Sequence, residues 1–161
     1  MELRIFSAED AAIMLDILTN TQVNRTYMLP DFETREDALP LFRRLMARSQ
    51  DEAHFVRGIF ADGTLVGFLN DVEIADGVIE LGYVIHPQYW NRGYATGALK
   101  IAIADLFSLG FREVVCGAFE GNDASLRVME KAGMRPLEKI DEIDYRGHTY
   151  RCFYRSIRND C

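Results

Sequence analysis

The stretch Trp90-Asn91-Arg92-Gly93-Tyr94-Ala95-Thr96-Gly97 joins a segment typical of a β-strand to a segment typical of a helix. The strand-like run 78–85 is rich in branched and aromatic residues, and His86-Pro87 closes it because proline cannot donate to a strand ladder. The first N–H groups of the following helix have no partner inside it, and they lie at the positive end of the helix dipole. The stretch therefore predicts an anion site that suits a diphosphate. The helix is indicated by apolar residues at three- and four-residue steps before a glycine stop: Ala95, Leu99, Ala102, Leu106, Leu109 and Gly110.

The glycine spacing alone leaves several interpretations open. Gly93 to Gly97 is only a loose match to the G-x-G-x-x-G dinucleotide fingerprint, which also expects an acidic residue about 20 positions on, after the second strand. Glu113 has roughly that offset but begins the next predicted strand, which is the wrong end for a ribose contact. No Gly-Lys-Ser/Thr follows, so there is no P-loop. A purely structural role, a tight turn and close helix packing, is as consistent with the two glycines as ligand binding is.

Two longer blocks resemble the GNAT superfamily of N-acetyltransferases, and most closely its RimJ/RimL-like branch of ribosomal-protein N-terminal acetyltransferases. They are residues 80–96, ELGYVIHPQYWNRGYAT, and residues 122–134, NDASLRVMEKAGM. The superfamily motif Q/R-x-x-G-x-G/A has Trp90 at its first position, as in that branch, with Gly93 and Ala95 at the small positions. Gly97 stands where the branch commonly carries a glutamate, so any role of that side chain is missing here.

The resemblance implies a fold class, a cosubstrate and a set of binding residues. The expected fold is α/β (α+β) and GNAT-like, a mixed, mostly antiparallel sheet of about seven strands with about four flanking helices. Its central parallel pair should splay apart near Gly82 and Tyr83, where acetyl-CoA binds as cosubstrate. The backbone of Tyr83, Val84 and Ile85 would then bind pantetheine, and the N–H groups of Asn91, Arg92, Gly93, Tyr94, Ala95 and Thr96 would hold the pyrophosphate. Arg92 either adds charge there or is a solvated loop residue, and Asn122 either holds pantetheine or caps a helix.

Composition and charge agree with one acetyltransferase domain over residues 1–161. A hydrophobic content of 48% in 161 residues is normal for a globular chain, and no apolar run approaches the ~20 residues of a membrane span. Without a recognisable signal sequence, the expected location is cytoplasmic. The three cysteines, Cys116, Cys152 and Cys161, lack metal spacing and are odd in number, so neither a metal site nor a disulfide framework is predicted.

The net charge of −7 disfavours binding to nucleic acid and suits a cationic partner such as an amine. The sequence does not fix the oligomeric state, and a homodimer is one alternative.

The N-terminal part of the chain is predicted to form a strand, two capped helices and a long loop. A strand is predicted over Glu2–Phe6, and Ser7 with Asp10 forms a capping box for a helix that ends near Asn20. The segment Thr21–Glu33 lacks periodicity and is the candidate substrate lid. Thr34 and Asp37 form a second capping box, and Pro40 either kinks the helix that follows or marks a fresh start.

The remaining elements follow from turn signals and branched runs. Asp-Gly dipeptides at 62–63 and 76–77 predict an antiparallel meander of Ala53–Phe60, Thr64–Glu73 and Val78–Ile85. Glu113–Phe119 should pair in parallel with the last of these, because a helix connects them. A helix is predicted over Asp123–Ala132 and a last hairpin over Ile140–Tyr145 and Thr149–Ile157.

The chemistry of acetyl transfer points to two catalytic side chains. Glu80 lies between apolar neighbours, which should raise the pKa of its carboxyl group. A raised pKa suits Glu80 as the base, acting directly or through water. The alternative is that Glu80 is a strand-edge glutamate paired to an arginine. Ser125 matches the serine that RimL-like enzymes place beside the CoA sulfur, and the alternative is ordinary helix capping. Tyr145 or Tyr154 would serve as the acid only if the geometry allows. A covalent route through Cys116 is disfavoured because no base partner is evident, and the three histidines are expected to be structural.

These observations predict acetyl transfer to a primary amine by direct attack, and the acceptor is expected to be a protein or peptide α-amine. At pH 7 an α-amine is roughly 10–20% neutral, whereas a lysine amine is below about 0.1% neutral, so an α-amine needs less help from a base. Two alternatives stay open. One is a small amine such as an amino acid, a polyamine or an aminoglycoside, and the other is an acyl-CoA sensor without turnover.

Overall fold

The computed structural model describes residues 1–160, which contain a seven-stranded sheet, so the expectation for Cys161 lies outside the described residues. The strand order is β1-β2-β3-β4-β5-β7-β6, and every neighbouring pair is antiparallel except the parallel pair β4 and β5. The predicted fold class is confirmed. The strands are Glu2–Arg4 (β1), Val56–Ala61 (β2), Thr64–Ala75 (β3), Val78–Ile85 (β4), Glu113–Phe119 (β5), Arg135–Tyr145 (β6) and His148–Arg158 (β7).

Four α-helices cover the two faces of the sheet: Ala11–Leu18 (α1), Leu39–Ser49 (α2), Tyr94–Ser108 (α3) and Asp123–Lys131 (α4). Successive strand residues point to opposite faces, so the two largest buried clusters lie on opposite faces of the sheet. Phe68 and Val84 pack with α1 and α2, whereas Leu81 and Cys116 pack with α3 and α4.

The hairpin turns form where the sequence places them. Asp62 and Asp76 have φ of 51° and 54°, and the glycines that follow have φ of 79° and 77°, which is the left-handed pair that an Asp-Gly turn supplies. Arg146 and Gly147 repeat this conformation at the tip of the β6–β7 hairpin. The β4 and β5 boundaries agree with the predicted ones.

Several element ends differ from prediction, and at two of them a side chain accepts a backbone hydrogen bond. The first strand stops at Arg4, and the N–H of Phe6 instead donates to the hydroxyl of Ser49. β2 begins at Val56 rather than Ala53, since the N–H of Ala53 donates to the carboxylate of Asp51 in a turn. β6 begins five residues before Ile140, and its pairing with β7 is irregular between Pro136 and Ile140.

Both predicted capping boxes are present, but each caps a 3₁₀ turn that leads into the α-helix. α1 ends at Leu18 rather than near Asn20, and the hydroxyl of Thr19 donates back to the carbonyl of Leu15. α2 starts afresh at Leu39 with Pro40 in its first turn. Proline is tolerated there because an N–H at that position would have no acceptor within the helix.

The parallel ladder is short, and its end positions the site. Val78–Leu81 pairs with Glu113–Cys116, after which β4 continues to pair only with β3 and β5 only with β7. The two central strands are therefore no longer paired with each other from Gly82 onward. This confirms the splay that the sequence resemblance predicted near Gly82 and Tyr83.

The fold depends on glycine at position 67, where β3 passes close to β4. A Cβ at this position would overlap the carbonyl oxygen of Val84 and lie 3.0 Å from the Cα of Ile85. Because both neighbours are backbone atoms, no rotamer change relieves the overlap. We expect Gly67→Ala to lower the free energy of unfolding by about 3 kcal/mol, measured by urea denaturation.

Gly97→Ala is the matched control. A Cβ at Gly97 meets only the end of the Met1 side chain at 2.9 Å, which can move, and alanine is the better helix former by ~1 kcal/mol. Equal stabilities for the two variants would contradict the prediction.

Candidate functional site

A cavity of about 600 Å³ occupies the gap between β4 and β5, a size typical of a ligand site. Its walls are the end of β4, the loop into α3 with the first turn of that helix, one side of α4, Gly117 of β5 and part of the segment Thr21–Glu33. All the predicted cofactor-binding residues and Ser125 line it, and Glu80 does not. The lining residues are Val23, Thr26, Tyr27, Gly82, Tyr83, Val84, Ile85, Tyr89, Trp90, Asn91, Arg92, Gly93, Tyr94, Ala95, Thr96, Gly117, Asn122, Ala124, Ser125, Arg127, Val128 and Lys131.

The end of β4 presents a backbone edge to the cavity. Tyr83, Val84 and Ile85 pair with β3 on one side and have no partner strand on the other. An extended amide chain can add to such an edge as a further strand would. The indole N–H of Trp90 donates to the carbonyl of Ile85 at 2.7 Å, which ties the loop to the strand end. This bond gives a physical reason for tryptophan at the first position of the motif.

The loop into α3 leaves backbone N–H groups free at the cavity. Asn91 and Gly93 are both left-handed, with φ of 61° and 79°, and Gly93 caps the helix. The N–H of Gly97 donates to the carbonyl of Gly93 at 3.0 Å as the helix begins, so the N–H groups of 94–96 have no acceptor within the helix. The first turn holds no acidic residue that would compete with an anion. The local geometry suits a diphosphate.

Three cations line the cavity, and sequence reasoning named only Arg92. Arg127 and Lys131 of α4 were missed. Their i, i+4 spacing places them on one helix face, and Ala124 and Val128 on the same side of α4 also line the cavity. That spacing is visible in the sequence and indicates a shared helix face. Whether this face points toward the cavity depends on how α4 packs against the sheet.

Ser125 and Asn122 meet at the start of α4. The Oδ1 of Asn122 accepts the N–H of Ser125 at 3.3 Å, so Asn122 caps the helix while also lining the cavity. The Ser125 Oγ lies 2.6 Å from the hydroxyl of Tyr83, which is also 3.0 Å from the Ser125 carbonyl. Burial raises the pKa of Tyr83, so its phenol keeps its proton. From the sequence, only the backbone of Tyr83 is predicted to bind a ligand.

Glu80 is half-buried on β4 beside the opening of the splay, and its register partner on β5 is Val115. Burial raises the pKa of its carboxyl group, Lys139 opposes the rise, and Glu73 and Asp141 add to it. Among the salt bridges of residues 1–160, none joins Glu80 to an arginine. The raised pKa agrees with the expectation from its apolar neighbours and suits a group that accepts a proton.

Neither Tyr145 nor Tyr154 of the last hairpin is placed as an acid. The hydroxyl of Tyr154 donates to the carboxylate of Asp141 at 2.9 Å. The hydroxyl of Tyr145 lies 2.6 Å from the carbonyl of Asn24 and 3.2 Å from the N–H of Leu29. Neither residue lines the cavity.

Tyr145 instead holds the predicted lid segment in place. Arg146, next to it, donates to the carbonyl of Leu29 and forms an ion pair with Asp31. On the other side of the segment, the hydroxyl of Tyr27 donates to the Oδ1 of Asn70 at 2.6 Å. The segment thus forms a fixed wall of the cavity through Val23, Thr26 and Tyr27.

The other reactive side chains have local structural contacts. Burial raises the pKa of Cys116, which leaves a thiol and not a thiolate in the core. The ring nitrogen Nδ1 of His54 lies 2.9 Å from the carboxylate of Asp71, and that of His86 accepts the N–H of Gln88. Within residues 1–160, no three His, Cys, Asp or Glu side chains are grouped as metal ligands. No helix in that range is long and apolar enough to cross a membrane.

Comparisons with known proteins give a family and a fold. Residues 1–135 match the family model described as the acetyltransferase (GNAT) domain. The chain is similar to the uncharacterized N-acetyltransferase YoaA of Bacillus subtilis, with 27% identity over 152 residues, 91% of this chain and 86% of that protein.

Two solved structures share the fold. Spermidine N-acetyltransferase from Vibrio cholerae, in complex with CoA and spermine, has a TM-score of 0.81 and 17% identity, with 98% of this chain and 94% of that chain covered. A putative ribosomal-protein-serine acetyltransferase from Vibrio cholerae has a TM-score of 0.79 and 20% identity, with 98% and 92% covered.

The raised pKa of Glu80 predicts a pH-dependent gain in stability on its replacement. A carboxyl group whose folded pKa is raised favours the fold fully below its unfolded pKa, about 4.3, and this contribution is lost as the pH rises through the folded value. Glutamine resembles the protonated form. We therefore expect Glu80→Gln to unfold at higher urea than the parent at pH 7, and the difference to vanish below about pH 4.

Glu138→Gln, at an exposed position on β6, is the control for the loss of one negative charge. A destabilised Glu80→Gln at pH 7 would mean that the carboxylate is held by favourable contacts and would contradict the prediction.

Proposed function

The chain belongs to the acetyltransferase (GNAT) family, and we propose that it acetylates the α-amine of a protein or peptide N-terminus. It is an acetyl-CoA-dependent N-acetyltransferase, as the sequence resemblance predicted. One observation carries the choice of acceptor: no aspartate or glutamate is among the residues that line the cavity. A single amine that is partly neutral fits such a wall better than a polyamine with several positive charges.

The proposed acetyl-CoA site uses the three groups of donors around the cavity. The pyrophosphate binds the N–H groups of residues 91–96, with Arg92 beside it. Arg127 and Lys131 are the remaining cations and suit the further phosphate of CoA. Pantetheine lies along the edge of Tyr83 and Val84, near the side chain of Asn122.

The proposed reaction is direct attack of the amine on the thioester carbonyl. The nitrogen forms a bond to the carbonyl carbon, the carbon–oxygen π electrons move to oxygen, and Glu80 takes the proton from nitrogen. Because Glu80 does not line the cavity, a water molecule carries this proton. The carbonyl then re-forms, the carbon–sulfur bond breaks with its electron pair on sulfur, and the hydroxyl of Ser125 donates a hydrogen bond to the thiolate.

Assignment to the RimJ/RimL-like branch is part of the proposal. It is supported by Trp90, whose indole bond to the carbonyl of Ile85 explains the residue that distinguishes this motif from the general one. The fold is also similar to that of a putative ribosomal-protein-serine acetyltransferase. The small-amine alternative has a comparable likeness, to a spermidine acetyltransferase, so the lack of carboxylates among the cavity-lining residues is what favours a peptide. The proposal keeps a single catalytic domain over residues 1–161 and action in the cytoplasm.

Turnover against a panel of amines tests the proposal. CoA thiol release is measured with peptides of varied N-termini, amino acids, polyamines and aminoglycosides. We expect turnover with peptides, and a loss of about 100-fold in kcat in Glu80→Gln because it removes the base. Acetyl-CoA affinity should be unchanged in that variant, and Glu138→Gln should behave as the parent.

Turnover with polyamines alone would contradict the acceptor and move the assignment to a small-amine enzyme. Acetyl-CoA binding without turnover on the full panel would favour a sensor.

Because the segment Thr21–Glu33 forms a wall of the cavity, we expect a change in its contacts to alter the KM for the acceptor. Tyr145→Phe removes the hydroxyl that contacts Asn24 and Leu29, and each such hydrogen bond contributes about 1 kcal/mol. We expect the KM for the peptide to rise about tenfold while the KM for acetyl-CoA stays the same.

Tyr150→Phe is the control, since the Tyr150 hydroxyl takes part in none of the hydrogen bonds described for residues 1–160 and its ring packs in the same aromatic cluster. Equal rises in both KM values would show that the segment does not belong to the acceptor side.

A further inference from the structure

We infer that Tyr83 is a positioning residue that holds the Ser125 hydroxyl in the orientation needed to donate to the sulfur of CoA. The two residues lie 42 positions apart in sequence and meet across the cavity, one from β4 and the other from α4. This inference rests on the role proposed for Ser125. It adds a function for the Tyr83 side chain, whereas the proposed function uses only the Tyr83 backbone.

The hydroxyls have two ways to arrange their protons. Tyr83 and Ser125 each have one hydroxyl proton, and the Ser125 carbonyl can only accept. If Tyr83 donates to that carbonyl at 3.0 Å, then Ser125 donates to the Tyr83 oxygen at 2.6 Å, and both protons are used within the pair. If Tyr83 donates to the Ser125 Oγ, the serine proton is left for a ligand in the cavity.

A negatively charged sulfur selects the second arrangement. Hydrogen bonds to a charged acceptor are stronger than those between neutral groups, so the serine proton turns toward the thiolate as it forms. The Tyr83 proton then takes the place that the serine proton leaves, and the Ser125 oxygen keeps one donor and one acceptor role. A serine without this partner would rotate freely and lose entropy when it binds the sulfur.

Because Tyr83 is largely buried, it donates a hydrogen bond and does not transfer its proton. Because burial raises the pKa of the phenol, Tyr83 keeps its proton throughout and donates a hydrogen bond, not a proton. The carbon–sulfur bond breaks with its electron pair on sulfur, both hydroxyl protons stay on their oxygens, and the released thiolate is later protonated by solvent. A thiol of this type has a pKa near 8.5, so its anion is a stable enough leaving group.

Contacts on both sides of the pair hold the Tyr83 and Ser125 hydroxyls in position. The N–H of Ser125 is held by the Oδ1 of Asn122 at 3.3 Å, which fixes the first turn of α4. The ring of Tyr83 packs against the buried core beneath α3 and α4. The phenol oxygen is thus positioned by the sheet and the serine by the helix cap.

The test measures how strongly the site prefers the CoA thiolate, which needs no knowledge of the acceptor. Dissociation constants for CoA and for desulfo-CoA are compared at a pH where the thiol is ionised. We expect the parent to prefer CoA, Ser125→Ala to lose that preference, and Tyr83→Phe to reduce it about tenfold. The double variant should be no worse than Ser125→Ala, because the tyrosine acts through the serine.

Controls separate this role from a structural one. Tyr83→Phe keeps the ring, so its desulfo-CoA affinity should match that of the parent, and its thermal unfolding should stay cooperative with only a small drop in Tm from the lost hydroxyl contacts. Tyr150→Phe should leave the CoA preference unchanged. Should Tyr83→Phe fail to fold, 3-fluorotyrosine placed at position 83 keeps the shape and donates more strongly, so the preference for the thiolate should increase.

The outcomes separate the role proposed for Ser125 from the role inferred for Tyr83. If Ser125→Ala keeps the preference, the role of Ser125 in the proposed mechanism fails, and the role of Tyr83 fails with it. If Ser125→Ala loses the preference while Tyr83→Phe retains it, the inference about Tyr83 is overturned and the proposed mechanism stands. A parallel loss in desulfo-CoA affinity in Tyr83→Phe would show a structural tie between β4 and α4 and would also overturn it.

Discussion

The loss of pairing between β4 and β5 beyond Leu81 and Cys116 is the constraint on which the site depends. A parallel ladder that continued would use the β4 edge and leave no room between the strands. Because it stops, Tyr83 and the residues after it keep an open edge, and the cavity extends through the sheet toward the segment Thr21–Glu33. In the proposed reaction, acetyl-CoA and the amine therefore share one space.

Local sequence signals predicted the elements well and their mutual contacts poorly. The Asp-Gly pairs at 62–63 and 76–77, the capping boxes and the strand 78–85 act over a few residues, so the sequence states them directly. The contact of Tyr83 with Ser125 and that of Tyr145 with Asn24 join elements 42 and 121 positions apart. Such contacts depend on how helices and hairpins dock, which periodicity does not encode.

Charge is distributed unevenly between the cavity and the rest of the protein. The chain carries 25 acidic and 18 basic residues, yet the cavity lining includes Arg92, Arg127 and Lys131 and no carboxylate. A net acidic surface attracts cationic partners, while the cavity favours an anion. Separation of the two signs lets one small domain accept ligands of opposite charge without bringing their binding groups into competition.

The hydrogen bonds between the last hairpin and the segment Thr21–Glu33 join two parts of the chain that lie far apart in sequence. The elements proposed to bind the nucleotide end of the cosubstrate lie within residues 78–131, a continuous stretch of chain. The opposite wall needs Asn24 and Leu29 from the beginning of the chain and Tyr145 from near its end. During synthesis this wall is therefore completed only after Tyr145 has been made, later than the central stretch.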